Sequence, residues 1–270
     1  MSGEVDFERR FVGVKRLYGE AGLAKLQVSH VCVVGIGGVG SWAAEALARN
    51  AVGTITLIDL DNIAESNVNR QIHALEGEFG KAKVSAMADR ICAINPHCKV
   101  HEIEDFVTPE NVDIMLNRGF DVVLDATDDV KAKVAIAVYC CANKIMLITT
   151  GGAGGRLDPT KIKVADLAHV EGDKLLAKVR NLLRRDYQFP KVSNAKKSTK
   201  FGIQAVYSDE QAIKPEAMEA NSCAVSVDAK NNENNSITGL NCAGYGSSVC
   251  VTAPFGFTAA SLALQQLLMT

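Results

Sequence analysis

The chain has 270 residues, 47% of them apolar and 22% charged, with a formal charge of −2. That length and apolar content suffice to bury a large core, and the near-neutral charge excludes a polycation, so any nucleic-acid contact must come from a local patch. Among the eight cysteines no two form a Cys-x-x-Cys pair, which leaves a four-cysteine zinc site without support. Cys32, Cys92, Cys140 and Cys250 lie in apolar runs and read as small core hydrophobes. No signal-peptide pattern is present, so free thiols in a reducing cytoplasm are expected.

Residues 7–27 read as an N-terminal arm in which Arg9, Arg10, Lys15 and Arg16 stand among apolar positions. A β-branched run predicts a buried strand over 28–34, and the alanine-rich stretch 41–50 predicts a helix. Strands follow at 54–59, 100–103, 122–125 and 145–149, alternating with helices at 81–94, 109–117 and 130–142. This alternation implies an α/β fold, a doubly wound, mostly parallel, Rossmann-like sheet with helices on both faces, over 28–150. Beyond Gly151 the pattern becomes an irregular C-terminal elaboration of the same single domain: a flexible glycine turn at 151–155, strands at 161–165 and 202–207, a helix at 174–185, and a polar asparagine-rich loop. The chain carries no charge after Glu233. A membrane helix needs about 20 apolar residues, but Pro254, Gly256, Ser261, Gln265 and Gln266 interrupt 249–269, so a buried or interface helix is expected and no membrane insertion.

The chemistry starts at Gly35, Gly37, Gly38 and Gly40, between the first strand and its helix. Closely spaced glycines there let backbone N–H groups approach a phosphate at a helix N-terminus. Asp59, with Asp61 beside it, ends the next strand, where a carboxylate can bind ribose hydroxyls. So far NAD and ATP fit equally, and a tight turn that binds nothing is the bland alternative. Asn67, Arg70 and Lys83 favour the triphosphate. Arg70 offers a bidentate fork and Lys83 a point charge, more positive charge than a hydride-transfer site needs, although each could be a solvated surface cation. The buried run 122–125 leads through Thr127 to Asp128 at the sheet's C-terminal edge, and a carboxylate there suits Mg²⁺. Asp125 could instead serve as a cap or internal acceptor, and Asp129 as a cap or a second metal contact.

Two other stretches carry possible function. Between 174 and 200, Lys174, Lys178, Arg180, Arg184, Arg185, Lys191, Lys196, Lys197 and Lys200 form a local positive excess, with Tyr187 and Phe189 placed to stack on a base. A solvated helix face is the competing reading. Cys223 and Cys242 flank the asparagine-rich loop, and the polar surroundings of Cys223 make it the better candidate for a reactive thiol, against a merely structural role for both.

In this order, Gly-x-Gly-Gly-x-Gly, Asp59, Asn67-x-x-Arg70-Gln71, Lys83 and Thr127-Asp128 resemble the E1-like adenylating family, which includes activators of ubiquitin-like sulfur carriers. Further segments are similar to the tRNA threonylcarbamoyladenosine dehydratases within it: Arg16-Leu-Tyr-Gly19, Gly40-Ser-Trp-Ala-Ala-Glu-Ala-Leu-Ala48, Asn69-Arg-Gln-Ile-His-Ala-Leu75, Asp105-Phe-Val-Thr-Pro109, Thr149-Thr-Gly-Gly-Ala-Gly-Gly155 and Phe255-Gly-Phe257. The resemblance implies ATP as co-substrate, with Gly37 and Gly38 near the phosphates, Asp59 on ribose, Asn67, Arg70 and Lys83 on the triphosphate, and Mg²⁺ at Asp128. A monovalent cation is a further candidate ion. It implies tRNA as substrate, the threonyl carboxylate being adenylated and a carbamoyl nitrogen then closing a hydantoin ring, and it implies a homodimer. The wider family presents an Arg-x-x-Arg pair from the arm to a neighbouring subunit; this chain keeps only Arg10. Three alternatives stand beside this reading: adenylation of a carrier protein's C-terminal glycine, an NAD(P)-dependent dehydrogenase, and a non-catalytic nucleotide-binding partner in a sulfur relay.

Overall fold

The computed structural model describes residues 6–191, 200–213 and 245–269. The arm is helical: α1 spans Phe7–Arg10 and α2 spans Val12–Val28, broken at Gly19, whose φ of 76° lies outside helical space. The alternating core follows as β1 (His30–Val34), α3 (Gly40–Arg49), β2 (Thr54–Ile58), α4 (Lys83–Ile94), β3 (Lys99–Ile103), α5 (Val112–Leu116), β4 (Val122–Asp125), α6 (Val130–Ala142) and β5 (Met146–Thr150). The helix expected over 109–117 is reduced to α5, because Thr108 and Asn111 use their side chains on the preceding turn. Then come β6 (Ile162–Asp166), α7 (Lys174–Asp186), β7 (Gln204–Ser208) and α8 (Val249–Met269).

The seven strands among the described residues form one sheet in the order β3-β2-β1-β4-β5-β7-β6, parallel except for the β6–β7 pair. The elaboration after residue 150 therefore extends the same sheet. Strand periodicity sorts two cores. Val31 and Val33 face α3, α4 and α8, whereas Cys32 and Val34 face α5, α6 and α7. The uncharged C-terminal segment is the buried helix α8. Its Gly256 lies so close to α3 that a Cβ there would stand 2.4 Å from the Val39 carbonyl oxygen. Among the described residues no helix is long and apolar enough to cross a membrane.

Register places the site. Val34 pairs with Ile58 and with Asp125, and Asp125 pairs with Thr149. These four strand ends form one row, and the loops that leave it emerge on the same edge. The chain reverses its winding between β1 and β4, the point where open parallel sheets leave a crevice for ligands.

The structure corrects three expectations. Cys32 and Cys140 are buried, but Cys92 and Cys250 are exposed, each next in sequence to a residue (Ile91, Val251) that fills the core-facing stripe of its helix. The glycine turn at 151–155 is pinned rather than flexible. Gly151 N–H donates to the Val206 carbonyl and Gly152 N–H to Asp173. Buried Arg156 binds the carbonyls of Gly152 and Ser208 and the carboxylate of Asp173, which also caps α7. Phe189 packs edge-on against Phe201, whose ring the Arg184 guanidinium covers, so Phe189 is not a free stacking platform.

Candidate functional site

The loop from β1 to α3 is built on close backbone contact. Gly35 has a φ of 85°, open to glycine but costly for other residues. A Cβ on Gly40 would stand 1.8 Å from the Gly35 carbonyl oxygen, so only glycine lets the chain turn there. A Cβ on Gly35 would stand 3.0–3.1 Å from the backbone of Ala126 and Thr127, which seats the β4 exit loop directly on the turn. Gly37 faces open space, with nothing within 4 Å of its hypothetical Cβ, and the Arg70 side chain lies across Gly38 at 3.1 Å. The turn is thus flanked by a guanidinium stem on one side and open on another, a shape that admits an anion.

Asp59 closes the crevice from β2. Its buried carboxylate accepts from Ile36 N–H at 2.6 Å, a loop amide, and from Asp61 N–H at 2.9 Å. Burial pushes this carboxyl above its ordinary value, and nearby Lys83 and the two N–H donors pull it back. Lys83, the first residue of α4, is buried with its Nζ 2.7 Å from Asp61 and 4.0 Å from Asp59. Its own N–H also donates to the Asp61 carbonyl, so the β2 exit loop and α4 are tied at both backbone and side chain.

The segment expected to carry Asn67 and Arg70 is a short 3₁₀ turn, Glu65–Asn67, and its continuation. Asn67 is buried; its Oδ1 accepts from Ala64 N–H, and its Nδ2 amide is the donor it has to offer a phosphate. Arg70 Nη1 donates to the Ser66 carbonyl at 2.7 Å and to Asn69 Oδ1 at 2.9 Å. Trp42 Nε1, from α3, donates to the Arg70 carbonyl at 2.9 Å and fixes the backbone beneath that side chain.

On the β4 side, Asp129 is the N-cap of α6, accepting from Ala132 N–H at 2.7 Å. Asp125 is an internal acceptor with no exposure. Thr127 turns inward, its N–H and Oγ1 both donating to Asp125 Oδ1, which leaves Asp128 as the half-buried carboxylate on the exit loop. The row of strand ends therefore brings Gly35, Gly37, Gly38, Gly40, Asp59, Asp61, Asn67, Arg70, Lys83, Thr127 and Asp128 to one edge of the sheet.

Arg10 does not join them. Its Nη1 donates to the Ala93 and Ile94 carbonyls at the last turn of α4. That end lies about 17 Å along the helix axis from Lys83. Cys223 and Cys242 lie outside the described residues, as do Lys196 and Lys197.

Sequence reasoning missed three contributors. Lys133 is fully buried on α6 and pairs with Asp125 at 3.0 Å. The signal was present, since it stands three and four positions before the buried Ile136 and Ala137. Trp42 holds the Arg70 backbone from α3. His73 is 2% exposed and neither ring nitrogen has a hydrogen-bond partner in the structure.

The model of the ThiF family matches residues 9–269, and the chain belongs to that family. It is 47% identical over 264 residues to the tRNA threonylcarbamoyladenosine dehydratase of Haemophilus influenzae, covering 97% of this chain and 95% of that one. To the Escherichia coli enzyme of the same name it is 48% identical over 263 residues, covering 97% and 94%. Among solved structures, the Escherichia coli tRNA N6-threonylcarbamoyladenosine dehydratase in complex with ATP superposes with a TM-score of 0.84 at 44% identity, covering 98% of this chain and 96% of that one. The same protein in complex with AMP gives a TM-score of 0.84.

His73 supplies a stability prediction. Burial, then the positive charges of Lys83 and Arg90, push its imidazole from 6.5 down to about 4. Between those values the unfolded chain binds a proton that the folded chain does not, so the contribution is fully present above about pH 6.5 and is lost as pH falls toward 4. From pH 7 to pH 5 this amounts to about 2 kcal/mol. Urea unfolding at the two pH values should show that His73→Leu loses less stability than the parent by about this amount; equal losses would contradict the assignment.

Proposed function

We propose that the chain is an ATP-dependent tRNA threonylcarbamoyladenosine dehydratase acting in the cytoplasm. The observation that carries this reading is the pair of cations beside the glycine turn, Arg70 across Gly38 and Lys83 between Asp59 and Asp61. Together they offer the β- and γ-phosphates of ATP two positive charges, more than the single diphosphate of NAD asks for. Near full-length identity to two dehydratases supports the choice of substrate.

In this reading the threonyl carboxylate of the modified adenosine attacks the α-phosphorus of ATP, and pyrophosphate leaves. The carbamoyl nitrogen then attacks the acyl adenylate, loses its proton and expels AMP, so the nucleoside loses one water overall. Arg70 and Lys83 hold the departing pyrophosphate and stabilise its developing charge. Among the described residues no three His, Cys, Asp or Glu side chains converge as a self-sufficient metal site. Mg²⁺ asks for only one or two carboxylates beside phosphate oxygens and water, and the half-buried Asp128 at the crevice fits that requirement. Mg²⁺ bound there supplies charge neutralisation to the phosphates.

The positive segment is part of the same proposal, in reduced form. Arg180 and Arg184 spend their guanidinium groups on the Val170, Ala168 and Pro190 carbonyls. Arg185 pairs with Asp186 through both carboxylate oxygens, so Lys174 and Lys178 on α7, with Tyr187, are the exposed tRNA-facing group. Homodimerisation also belongs to the reading. Val68, Leu75 and Phe257, exposed by 57%, 54% and 45%, border a cavity of about 580 Å³ whose wall includes Trp42 and Ile72, an apolar face suited to a second copy.

The chain incubated with ATP, Mg²⁺ and tRNA carrying the open modification should yield, by nucleoside mass spectrometry, a product lighter by one water. Arg70→Ala and Asp128→Ala should each slow that conversion by about 100-fold or more, and parental rates in both would remove the assigned site. Lys174→Glu with Lys178→Glu should weaken tRNA binding and flatten its salt dependence by roughly two phosphate contacts. ATP affinity should stay at the parental value; an unchanged salt slope would move the tRNA surface elsewhere.

A further inference from the structure

Asp125 and Lys133 form an ion pair with no solvent exposure, a costly arrangement that a sheet-to-helix packing contact does not require. The pair is fully satisfied. Asp125 Oδ2 accepts from Lys133 Nζ at 3.0 Å and from Thr149 Oγ1 at 2.8 Å. Oδ1 accepts from Thr127 N–H at 3.1 Å and from Thr127 Oγ1 at 2.7 Å. Lys133 Nζ also reaches the Asp125 carbonyl at 3.3 Å and Thr149 Oγ1 at 3.2 Å.

The connectivity gives these bonds a direction. Asp125 is the last residue of β4, and Lys133 lies on α6 four residues after its N-cap, Asp129. The only chain between strand end and cap is Ala126-Thr127-Asp128. One face of that short loop packs on Gly35, and its Thr127 is held twice by the carboxylate that Lys133 neutralises. Asp128 is thereby fixed between two anchored neighbours, Thr127 and the cap Asp129.

We infer that Lys133, acting through Asp125 and Thr127, is the positioning residue that aims the Asp128 carboxylate at the metal ion accompanying ATP. This rests on the assignment of Asp128 proposed above. Lys133 touches neither nucleotide nor metal, so its effect should appear in the cooperation between Mg²⁺ and ATP, not in ATP binding as such. Groups that orient a metal ligand from behind typically change metal affinity 10- to 100-fold when removed.

Calorimetric titration of ATP with EDTA, and again with Mg²⁺, yields the factor by which the metal tightens ATP binding. Lys133→Met should reduce that factor by about tenfold while leaving metal-free ATP affinity near the parental value. In an Asp128→Ala background the same substitution should change nothing further, because the group it positions is gone. Thr149→Val, an isosteric change, should act in the same direction by about threefold. If the lone buried carboxylate left by Lys133→Met prevents folding, Asp125→Asn with Lys133→Met removes both charges and carries the test, with the same expected loss. Should Asp128→Ala reduce the factor while folded Lys133 and Thr149 variants keep it, the positioning role is overturned and the site assignment stands. Should Asp128→Ala itself leave the factor intact, the site assignment fails.

Discussion

The approach of Gly40 to the Gly35 carbonyl is the constraint around which the site is organised. At 1.8 Å for a hypothetical Cβ, no side chain fits at residue 40 without moving the turn. That closeness brings the start of α3 down onto the end of β1, which leaves loop amides at the crevice, where an anion gains from unpaired N–H groups and the helix dipole. The neighbouring contacts depend on the same turn. Ile36 can donate to Asp59, Ala126 can sit on Gly35, and Arg70 can lie across Gly38, because the loop occupies so little space.

Buried charge recurs along one edge of the sheet, apart from Glu45 on α3, which pairs with Arg49 and Arg90. Lys83 with Asp59 and Asp61, Lys133 with Asp125, and Arg156 with Asp173 all lie where strands β2, β4 and β5 give way to loops. Charges out of water are expensive unless fully paired and hydrogen-bonded. Here each pair ties a loop to a helix start: α4 through Lys83, α6 through Lys133, and α7 through the capping carboxylate Asp173. An apolar substitute could fill the same volume, but it could not bind the backbone N–H groups and carbonyls that set loop positions. The opposite edge of the sheet has no comparable set among the described residues.

Much of this was legible in the chain itself. Strand and helix order, the buried terminal helix and the ordered polar set from Gly35 to Asp128 follow from periodicity, glycine spacing and strand ends, and those residues do meet at one edge. What escaped depends on contacts distant in sequence. Phe189 looked like a stacking platform because nothing local announces Phe201. The glycine turn after β5 looked loose because its restraint comes from Arg156 and from Asp173 on α7. Arg180 and Arg184 counted as surface charge until the carbonyls they bind were placed beside them. Cys92 and Cys250 were misplaced because an apolar run in a helix has an outer face as well as an inner one.

The central claim is that the glycine turn and its two cations select a nucleoside triphosphate over a redox dinucleotide. Parallel calorimetric titrations of the chain with ATP and with NADH, both in the presence of Mg²⁺, test it most directly. The account predicts saturable heat with ATP and none with NADH. Saturable NADH binding with no response to ATP would contradict it.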